Sequence, residues 1–195
     1  MKTYKVNEIF YSVQAEGRNS GRPAIFVRFS GCNLQCPFCD TNHEPYRLMT
    51  KDEIEKEVNE LDKDSDSKAM IVMTGGEPTV QVDDEEFLFE GRYIAMETNG
   101  ILPPPYWVDW VTVSPKTKIN YNWSNIDELK FLYGWFDDDY LVEVGKQAEK
   151  KMVKCYIQPT ADHDNNFDAL PSIEFAKKHP QWTLSLQFHK LLNIR

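Results

Sequence analysis

Three cysteines on one short stretch constrain this chain more than any other feature of its sequence. Cys32, Cys36 and Cys39 follow a C-x3-C-x2-C spacing, and the aromatic Phe38 lies between the last two. One loop can therefore bring three thiolates to a single metal centre. Three protein ligands leave a coordination position open, which is what a catalytic metal site needs. The spacing predicts a metal centre, such as a tetranuclear iron–sulfur cluster, whose free position can bind a small molecule.

Two other uses of these cysteines have to be weighed against an open cluster. His43 lies four positions after Cys39, so Cys32, Cys36, Cys39 and His43 could form a closed Cys3His structural zinc site. All four ligands would then lie in one loop, which leaves little chain to wrap the ion. A disulfide framework is disfavoured, because three of the 4 cysteines are clustered and no secretory signal precedes them. This stretch favours the cluster and leaves zinc open.

The composition is that of an ordinary globular protein. With 195 residues the chain is long enough for one domain with a substantial core and short for two. Its net charge of −9, without a Lys/Arg cluster, disfavours direct binding of nucleic acid. No apolar run approaches the roughly 18 residues that a membrane-spanning helix needs. We therefore expect a single domain, 1–195, with no membrane partner, in the cytoplasm, where reduced thiols can hold a metal.

A strand followed by a polar or glycine-bearing loop recurs about six times along the chain, as in parallel β/α barrels. The predicted strands are 24–30, 70–73, 93–96, 108–113, 129–133 and 153–157, the predicted helices are 50–61, 139–150 and 167–178, and extended segments are predicted at 4–12 and 182–187. A full barrel typically needs about 250 residues. Connections such as 100–107, with three consecutive prolines, cannot hold a helix of normal length. We therefore predict an α/β fold, a partial, trimmed parallel β/α barrel with about six core strands and shortened or missing crossover helices.

Polar and glycine residues follow the predicted strands at their carboxyl ends, where functional groups gather in parallel α/β folds. The cysteine loop follows the first strand, and Thr74-Gly75-Gly76-Glu77-Pro78 follows the second. Adjacent glycines let a ligand approach the backbone closely. The polar residues at the ends of later strands are Glu97, Asn99, Ser114, Lys116 and Gln158. Each could be a solvated strand end, but their shared location favours a single concave site.

The cysteine spacing with its aromatic residue resembles the signature of the radical S-adenosylmethionine (SAM) enzymes. Gly75-Gly76-Glu77-Pro78 resembles the element of those enzymes that binds the amino group of SAM. The resemblance implies that Cys32, Cys36 and Cys39 hold a 4Fe-4S cluster whose open iron chelates SAM. It also implies contacts to SAM from Phe38, Asp40, Gly75, Gly76, Glu77, Glu97, Asn99, Ser114, Pro115, Lys116 and Gln158.

More of the chain resembles one family of that superfamily, the 7-carboxy-7-deazaguanine synthases of queuosine and deazapurine biosynthesis. The similar segments are 10–17, 39–41, 75–78, 97–100, 114–116, 128–131 and 184–190. Members of the family are carbon–nitrogen lyases with a small modified barrel, and they work as homodimers. They use SAM and Mg²⁺ to convert 6-carboxy-5,6,7,8-tetrahydropterin into 7-carboxy-7-deazaguanine with loss of ammonia. The resemblance implies this activity here, with a pterin as substrate and a reductant such as a flavodoxin.

The resemblance also implies a magnesium site and a substrate site. Thr41 would bind Mg²⁺, and Asp40 could add a backbone ligand, because Mg²⁺ prefers oxygen ligands. Arg28 would capture the substrate carboxylate in bidentate fashion, unless it forms a structural ion pair with Glu16 or Glu97. The residues implied to line the pterin pocket are Val13, Gln14, Ala15, Glu16, Arg28, Thr74, His189 and Arg195.

The sequence departs from the family pattern at two positions. Ala15 stands where the family usually has glycine, and its methyl group is expected to forbid the easiest positive φ and to narrow the pocket. Phe188 stands where a smaller polar residue is common. Cys155, inside the sixth predicted strand, is interpreted as a small buried apolar residue and not as a metal ligand.

Two other functions are kept as alternatives. An activase of glycyl-radical enzymes, also a small radical SAM protein, would act on a protein and need no pterin pocket. The segment 13–17 and His189 argue against it. A zinc-stabilised binding module would use Cys32, Cys36, Cys39 and His43 as its ligands. Iron and sulfide in the anaerobically purified protein would exclude that module.

Overall fold

A computed structural model describes residues 2–37, 39, 41–82, 87, 89, 91–160 and 168–195. Phe38 and Asp40, two of the residues predicted to contact SAM, lie outside the described residues. The same holds for the beginning of the helix predicted at 167–178.

Nine strands form one sheet in the part of the chain that the structure describes. The strands are β1 Tyr4–Val13, β2 Pro23–Phe29, β3 Arg47–Met49, β4 Met70–Gly75, β5 Ile94–Thr98, β6 Trp110–Val113, β7 Glu128–Leu132, β8 Lys154–Gln158 and β9 Trp182–Leu184. Their order across the sheet is β3-β1-β2-β4-β5-β6-β7-β8-β9. From β2 to β9 all neighbours are parallel, whereas β1 pairs antiparallel with both β2 and β3. The predicted α/β class and partial parallel barrel are confirmed.

The parallel part of the sheet differs from the prediction at its edges. The extended segment predicted at 182–187 contributes β9, so one strand is added to the six predicted core strands. The strand predicted at 108–113 begins only at Trp110, because the Asp109 carboxylate accepts the Ile94 N–H at 2.7 Å. The short edge strand β3 was not predicted, since three residues give too little alternation to read.

Four α-helices lie in the described residues: α1 Lys51–Leu61, α2 Asp138–Lys150, α3 Leu170–Lys178 and α4 Phe188–Leu192. α1 begins with a capping box, in which Thr50 accepts from the Glu53 N–H while the Glu53 carboxylate accepts from the Thr50 N–H. The segment between β5 and β6 contains no helix, and the segment between β6 and β7 has only a 3-10 turn at Trp123–Asn125. The expected loss of crossover helices is confirmed there. The short α4 was not predicted. None of the described helices is long and apolar enough to cross a membrane.

Successive side chains of the parallel strands alternate between the two faces of the sheet, the outer face that the helices cover and the inner face of the partial barrel. On β4, Ile71 and Met73 pack into one apolar cluster, while Met70 and Val72 belong to a second, interior cluster. Along this interior face the apolar residues give way to Thr74 at the carboxyl end of β4, with Arg28 paired beside it on β2. The inner face is therefore apolar towards the amino ends of the strands and polar at their carboxyl ends.

A buried ion pair connects α1 to the chain entering β5. The Arg92 guanidinium donates to both oxygens of Asp62 at 2.7 and 2.9 Å and to the Asn59 side chain at 2.7 Å. The Asp62 carboxylate also accepts the Ala69 N–H at 2.9 Å. The fork geometry satisfies the charges that burial removes from water. This network fixes the end of α1 against the amino ends of β4 and β5.

Candidate active site

The carboxyl ends of the parallel strands surround a cavity of about 970 Å³. The predicted site residues that line it are Val13, Gln14, Ala15, Glu16, Arg28, Cys32, Cys36, Cys39, Thr41, Thr74, Gly75, Gly76, Glu97, Asn99, Ser114, Lys116, Gln158, His189 and Arg195. Glu77 and Pro115 are not among the lining residues, and Phe38 and Asp40 lie outside the described residues. The structure thus brings most of the predicted cluster, SAM and substrate residues to one place.

The cysteine loop follows β2 and opens into this cavity. Cys32, Cys36 and Cys39 are free thiols, and the Cys39 N–H donates to the Cys36 carbonyl at 3.1 Å in a tight turn. Among the described residues no three metal-ligating side chains stand close enough to hold one ion. The fit to an iron–sulfur cluster therefore rests on the donor set, which is three unpaired thiols on one loop at the mouth of a cavity.

His43, the fourth ligand of the zinc alternative, is directed at backbone. Its Nδ1 lies 3.4 Å from the Gly31 N–H, and its ring lies 3.0 Å from the place where Gly76 would carry a Cβ. His43 does not line the cavity. This arrangement gives the imidazole a packing role between two loops.

The glycine pair after β4 lets two loops touch through their backbones. A Cβ on Gly75 would lie 2.3 Å from the Phe29 carbonyl oxygen, and one on Gly76 would lie 1.9 Å from the Gly31 carbonyl oxygen. The Gly76 and Glu77 N–H groups donate to these same two carbonyls at 2.9 Å. Only glycine allows this approach. The pair therefore fixes the cysteine loop against the end of β4, while its own backbone faces the cavity.

The side chain of Glu77, a residue predicted to contact SAM, lies in the interior and is not among the residues that line the cavity. It is fully buried, and its Oε1 accepts from the hydroxyls of Thr79 at 2.6 Å and Thr98 at 2.7 Å. Its Oε2 accepts the Asn99 N–H at 2.7 Å. Asn99 in turn donates to the Asn33 side chain, on the cysteine loop, at 2.7 Å. Glu77 positions Asn99, which does line the cavity.

A buried lysine, Lys130 on β7, forms the centre of the polar pocket. Its ammonium group donates to Glu16 Oε2 and lies 3.5 Å from Glu97 Oε1. Burial alone would raise the pKa of Glu16, but the charge of Lys130 outweighs it and holds that pKa well below its usual value. Burial alone would lower the pKa of Lys130, but the two carboxylates outweigh it and raise that pKa. The pocket thus contains a charged, tightly coupled triad.

Glu97, predicted to reach SAM, has its hydrogen-bond partners on the substrate side of the cavity. Gln14 Nε2 donates to Glu97 Oε1 at 3.0 Å, and the Thr74 hydroxyl donates to Glu97 Oε2 at 3.2 Å. Gln14 and Thr74 are both predicted pterin-pocket residues. By its contacts Glu97 therefore groups with residues predicted to line the pterin pocket.

The loop after β1 is held in the pocket by Glu128. Gly17 has a φ of +62°, and a Cβ there would lie 2.2 Å from Glu128 Oε1. The Glu128 carboxylate accepts the Arg18 N–H and the Thr112 hydroxyl, each at 3.0 Å, and burial raises its pKa. Ala15, in contrast, does not adopt a positive φ. The expected backbone conflict at position 15 is wrong, because the left-handed residues of this loop are Gly17 and Gly21.

Two arginines share one carboxylate at the mouth of the cavity. Arg28 Nε donates to Glu8 Oε1 at 2.9 Å, and Arg195 Nη2 donates to Glu8 Oε2 at 2.7 Å. Both guanidinium groups lie over the ring of Phe10, at 5.9 and 5.3 Å from its centroid. The ion-pair partner of Arg28 is therefore Glu8, neither Glu16 nor Glu97. Two cations against one anion leave a positive patch that suits an anionic ligand.

Lys116 and Gln158 line the far side of the cavity. Lys116 Nζ donates to the Ser114 hydroxyl at 3.1 Å, and Ser114 donates to the Lys130 carbonyl at the same distance. Burial and the charge of Lys130 lower the pKa of Lys116. Gln158 Oε1 accepts from Ser185 at 3.2 Å. The Lys116 ammonium group on this side is close enough to Cys36 for the charges of the two groups to interact.

The polar residues that the sequence analysis missed include Glu8, Lys130 and Gln187, which line the pocket, and Glu128, which holds the loop after β1. A signal for two of them was present in β7, where Glu128 and Lys130 alternate with the buried Leu129 and Phe131. Such alternation places both charges on one face of a central strand. Gln187, which donates to Glu16 Oε1 at 2.9 Å, carries no such signal.

Comparisons with known proteins point in one direction. The family model described as the Radical SAM superfamily matches residues 26–129 of the 195. The chain is 42% identical to 7-carboxy-7-deazaguanine synthase from Bacteroides thetaiotaomicron over 98% of both chains. It is 35% identical to the protein of the same name from Burkholderia multivorans, over 98% of this chain and 99% of the relative.

A solved structure shares the fold. The crystal structure of QueE from Escherichia coli matches with a TM-score of 0.73 and 23% identity, over 95% of this chain and 94% of that one. Together with the sequence matches, the likeness extends over nearly the full length of the chain.

Proposed function

The chain belongs to the 7-carboxy-7-deazaguanine synthase family of the radical SAM superfamily, and on that premise we propose that it converts 6-carboxy-5,6,7,8-tetrahydropterin into 7-carboxy-7-deazaguanine. The observation that carries the proposal is the cavity itself, where the three thiols, the glycine loop and a pocket of paired charges meet. The two alternatives, a glycyl-radical activase and a zinc-stabilised module, are not favoured by the similarity over the full chain. We assign the whole of 1–195 to one radical SAM domain.

Membership in the superfamily implies a 4Fe-4S cluster and SAM as cofactors. Cys32, Cys36 and Cys39 would hold the cluster and leave one iron open for SAM. Together these groups, when bound, supply a carbon-centred radical able to abstract hydrogen from the substrate. The glycine loop and Asn99, Ser114, Lys116 and Gln158 are the described residues that would position SAM beside the cysteine loop.

The protein's own contribution is to bind and orient the pterin. Arg28 and Arg195 lie where two guanidinium groups can bind the 6-carboxylate. Glu16 and Glu97 provide acceptors for the N–H groups of the 2-amino-4-oxopyrimidine ring, at the other end of the substrate. The apolar bottom of the interior excludes water from the reacting carbon. The two ends of the pocket thus match the two ends of the molecule.

We propose Mg²⁺ as the third cofactor, with the Thr41 hydroxyl as a ligand. Thr41 follows the cysteine loop directly and lines the same cavity as the two arginines. A hard cation with oxygen ligands suits this place, because the substrate carboxylate can complete its shell. Asp40 remains a candidate for a backbone ligand.

The assembly and setting are proposed from the family alone. We expect a homodimer in the cytoplasm and a reductant such as a flavodoxin as the electron donor. A net charge of −9 without a Lys/Arg cluster in the sequence disfavours a nucleic-acid partner.

The decisive experiment is product analysis after anaerobic reconstitution with iron and sulfide. The assay contains 6-carboxytetrahydropterin, SAM, Mg²⁺ and a strong reductant, and mass spectrometry identifies the products. We expect 7-carboxy-7-deazaguanine in excess over the SAM lost, because SAM is regenerated. Cleavage of SAM to 5′-deoxyadenosine without a deazapurine would keep the superfamily and overturn the substrate. Protein that binds zinc and no iron under these conditions would overturn both.

A further inference from the structure

Lys130 stands out among the pocket residues because it is buried, charged and absent from the set that the sequence indicated. Its side chain is 7% exposed, and Glu16 and Glu97 face its ammonium group. We propose that Lys130 is a positioning residue for the pterin, one that keeps Glu16 and Glu97 as a fixed pair of carboxylate acceptors for the pyrimidine edge of the substrate. The inference rests on the proposed function and adds to it a residue that acts through two others.

The first step of the argument is the charge balance of the pocket. Glu16, Glu97 and Glu128 lie at the inner face, and Lys130 is the cation that contacts the first two directly. Two carboxylates that reach the same ammonium group are close enough to repel each other without it. Burial adds to that repulsion, because it penalises each charged form. Lys130 therefore makes it possible for the buried Glu16 to stay ionised beside Glu97.

The second step is the acceptor capacity that remains. Glu16 accepts from Lys130 at one oxygen and from Gln187 at the other. An ionised carboxylate has roughly four acceptor positions, so Glu16 can accept further hydrogen bonds. The pyrimidine ring of a pterin presents adjacent N–H donors, which a carboxylate can bind in bidentate fashion. A protonated carboxyl group would lose this match, because one oxygen would become a donor.

The third step is that the pair is held in place. Gln14 Oε1 accepts the N–H groups of Ala15 and Glu16 at 2.8 and 3.2 Å, which orients its amide so that Nε2 donates to Glu97. Lys130 itself is fixed on β7 by its buried neighbours Leu129 and Phe131. Both carboxylates therefore have defined orientations before substrate enters, which lowers the entropic cost of binding.

Other ionisable groups near Glu16 do not replace this cation. Lys116 is directed at Ser114 and lies towards Cys36, and its pKa is lowered by burial and by Lys130. His189 lines the cavity and acts on Glu16 through its charge. Glu128 contributes a further negative charge. Removal of Lys130 would thus leave Glu16 buried among acidic groups, and its carboxyl group would take up a proton more readily.

The test compares Lys130→Met with the matched control Lys118→Met in the reconstituted enzyme. Lys118 is 61% exposed and pairs with Asp137 at 3.2 Å on the outside of the fold. We expect Lys130→Met to lower kcat/KM for the pterin about 100-fold at neutral pH, the size expected when one partner of a buried pair is removed. SAM affinity should stay within about twofold of the wild type, because the cofactor side keeps its contacts.

The pH profile separates positioning from a structural role. In Lys130→Met the loss of kcat/KM should be greatest at low pH and should shrink as the pH rises, since Glu16 then ionises without its partner. In the background of Glu16→Gln, the same substitution should cost less than about tenfold, because the carboxylate that Lys130 contacts most closely has already lost its charge. Lys118→Met should match the wild type at every pH.

Three results would overturn the inference. One is a Lys130→Met enzyme that retains kcat/KM within about threefold of the wild type. Another is a pH-independent loss that is equally large in the Glu16→Gln background. If Lys130→Met does not fold, Lys130→Arg decides, and a folded Lys130→Arg enzyme with no more than residual activity would contradict a role of the charge. A wild-type enzyme that cleaves SAM and forms no deazapurine would instead refute the proposed function, and this inference with it.

Discussion

At some positions of this pocket the backbone conformation and the space for a Cβ, and not only the chemistry of the side chain, restrict which residue can be present. Gly17 combines a positive φ of +62° with a place for Cβ that Glu128 already occupies at 2.2 Å. Gly21, a few residues later, has a φ of +86° and nothing within 4 Å. A substitution at Gly21 therefore measures the free-energy cost of a left-handed backbone alone, and one at Gly17 adds the cost of a collision between Cβ and the Glu128 side chain.

Gly17→Ala is expected to be more harmful than Gly21→Ala. Gly21→Ala, the control, should lose about 1 kcal/mol of unfolding free energy, the usual cost of a positive φ for an L-residue. Gly17→Ala should lose about 2–3 kcal/mol, because Glu128 must also move and release the Arg18 N–H and the Thr112 hydroxyl. Urea unfolding measures both. Pterin turnover should fall only in Gly17→Ala, and equal behaviour of the two variants would contradict the role of Glu128.

Thr41 is where the proposed magnesium site can be tested. Thr41→Ala removes one hydroxyl from the cavity wall and should abolish the dependence of turnover on Mg²⁺, with most product formation lost. SAM cleavage should continue, because the cysteines and the glycine loop are untouched. Product and 5′-deoxyadenosine are quantified over a Mg²⁺ titration. Thr183→Ala, the same change at an exposed position of β9, should behave as the wild type. Unchanged product formation in Thr41→Ala would refute the assignment.

At the scale of elements, buried polar contacts fix the parts that the hydrophobic pattern leaves undetermined. Glu77 joins the loop after β4 to the end of β5 through Thr98 and Asn99. The Asp62–Arg92 pair joins α1 to the chain entering β5. Apolar faces can slide against each other at little cost, whereas a forked ion pair has one geometry. The Glu77 contacts fix the glycine loop beside Asn99, which bonds to the cysteine loop, whereas the ion pair fixes α1 at the amino ends of the strands.

Asp62→Asn should destabilise the protein in a pH-dependent manner. Hydrogen bonds from Arg92 outweigh the effect of burial and lower the pKa of Asp62 below its unfolded value of about 3.9. Its stabilising contribution is therefore fully present above that pH and is lost as the pH falls through the folded pKa. At pH 7 we expect Asp62→Asn to cost about 3–4 kcal/mol, because Arg92 keeps a buried charge without its partner.

Chemical unfolding at several pH values measures this difference, which should shrink below about pH 4. Glu57→Gln is the control, since it breaks the Arg47–Glu57 pair, where Arg47 is 51% exposed. The control should cost less than about 1 kcal/mol at any pH. A cost for Asp62→Asn that is as small as that of the control would contradict the importance of the buried pair.

At the scale of the whole molecule, the sheet is open and the segment after β9 bridges its two sides. The Phe188 N–H donates to the Ala15 carbonyl at 3.4 Å, and Gln187 donates to Glu16. Arg195 pairs with Glu8 on β1. Phe188, at a position where the family more often has a smaller polar residue, thus begins α4, which carries this bridge. The pocket is closed on this side by contacts other than strand pairing.

Deletion of residues 188–195 is expected to open the substrate side of the cavity. KM for the pterin should rise at least about tenfold, because one charge-assisted contact and the cover of α4 are lost. SAM cleavage should persist, since the cysteine and glycine loops have no part in this bridge. Steady-state kinetics with both readouts tests this. Arg195→Ala, which keeps α4, should show a smaller increase, and an unchanged KM in the deletion would show that the bridge does not shape the pocket.

Much of the fold and of the cofactor side was predictable because its signals are local. The three cysteines, the two glycines and the strands that precede them lie within short stretches, and apolar strands in a parallel sheet are recognisable from their composition. The start of β6, which was predicted two residues too early, and the helix α4, which was not predicted, show the limit of this reasoning. There, side-chain contacts and short length decided where an element begins.

The sequence by itself determined the class of fold, the loop that would hold a cluster and most of the residues that line the cavity. Only the tertiary structure decided which of them touch. Glu16 and Lys130 are 114 positions apart, and Glu8 and Arg195 are 187 apart, yet each pair is in contact. The physical reason is that spacing in a sequence fixes which face of a strand a side chain takes. The order and register of the strands, which depend on packing over the whole sheet, decide which charges meet on that face.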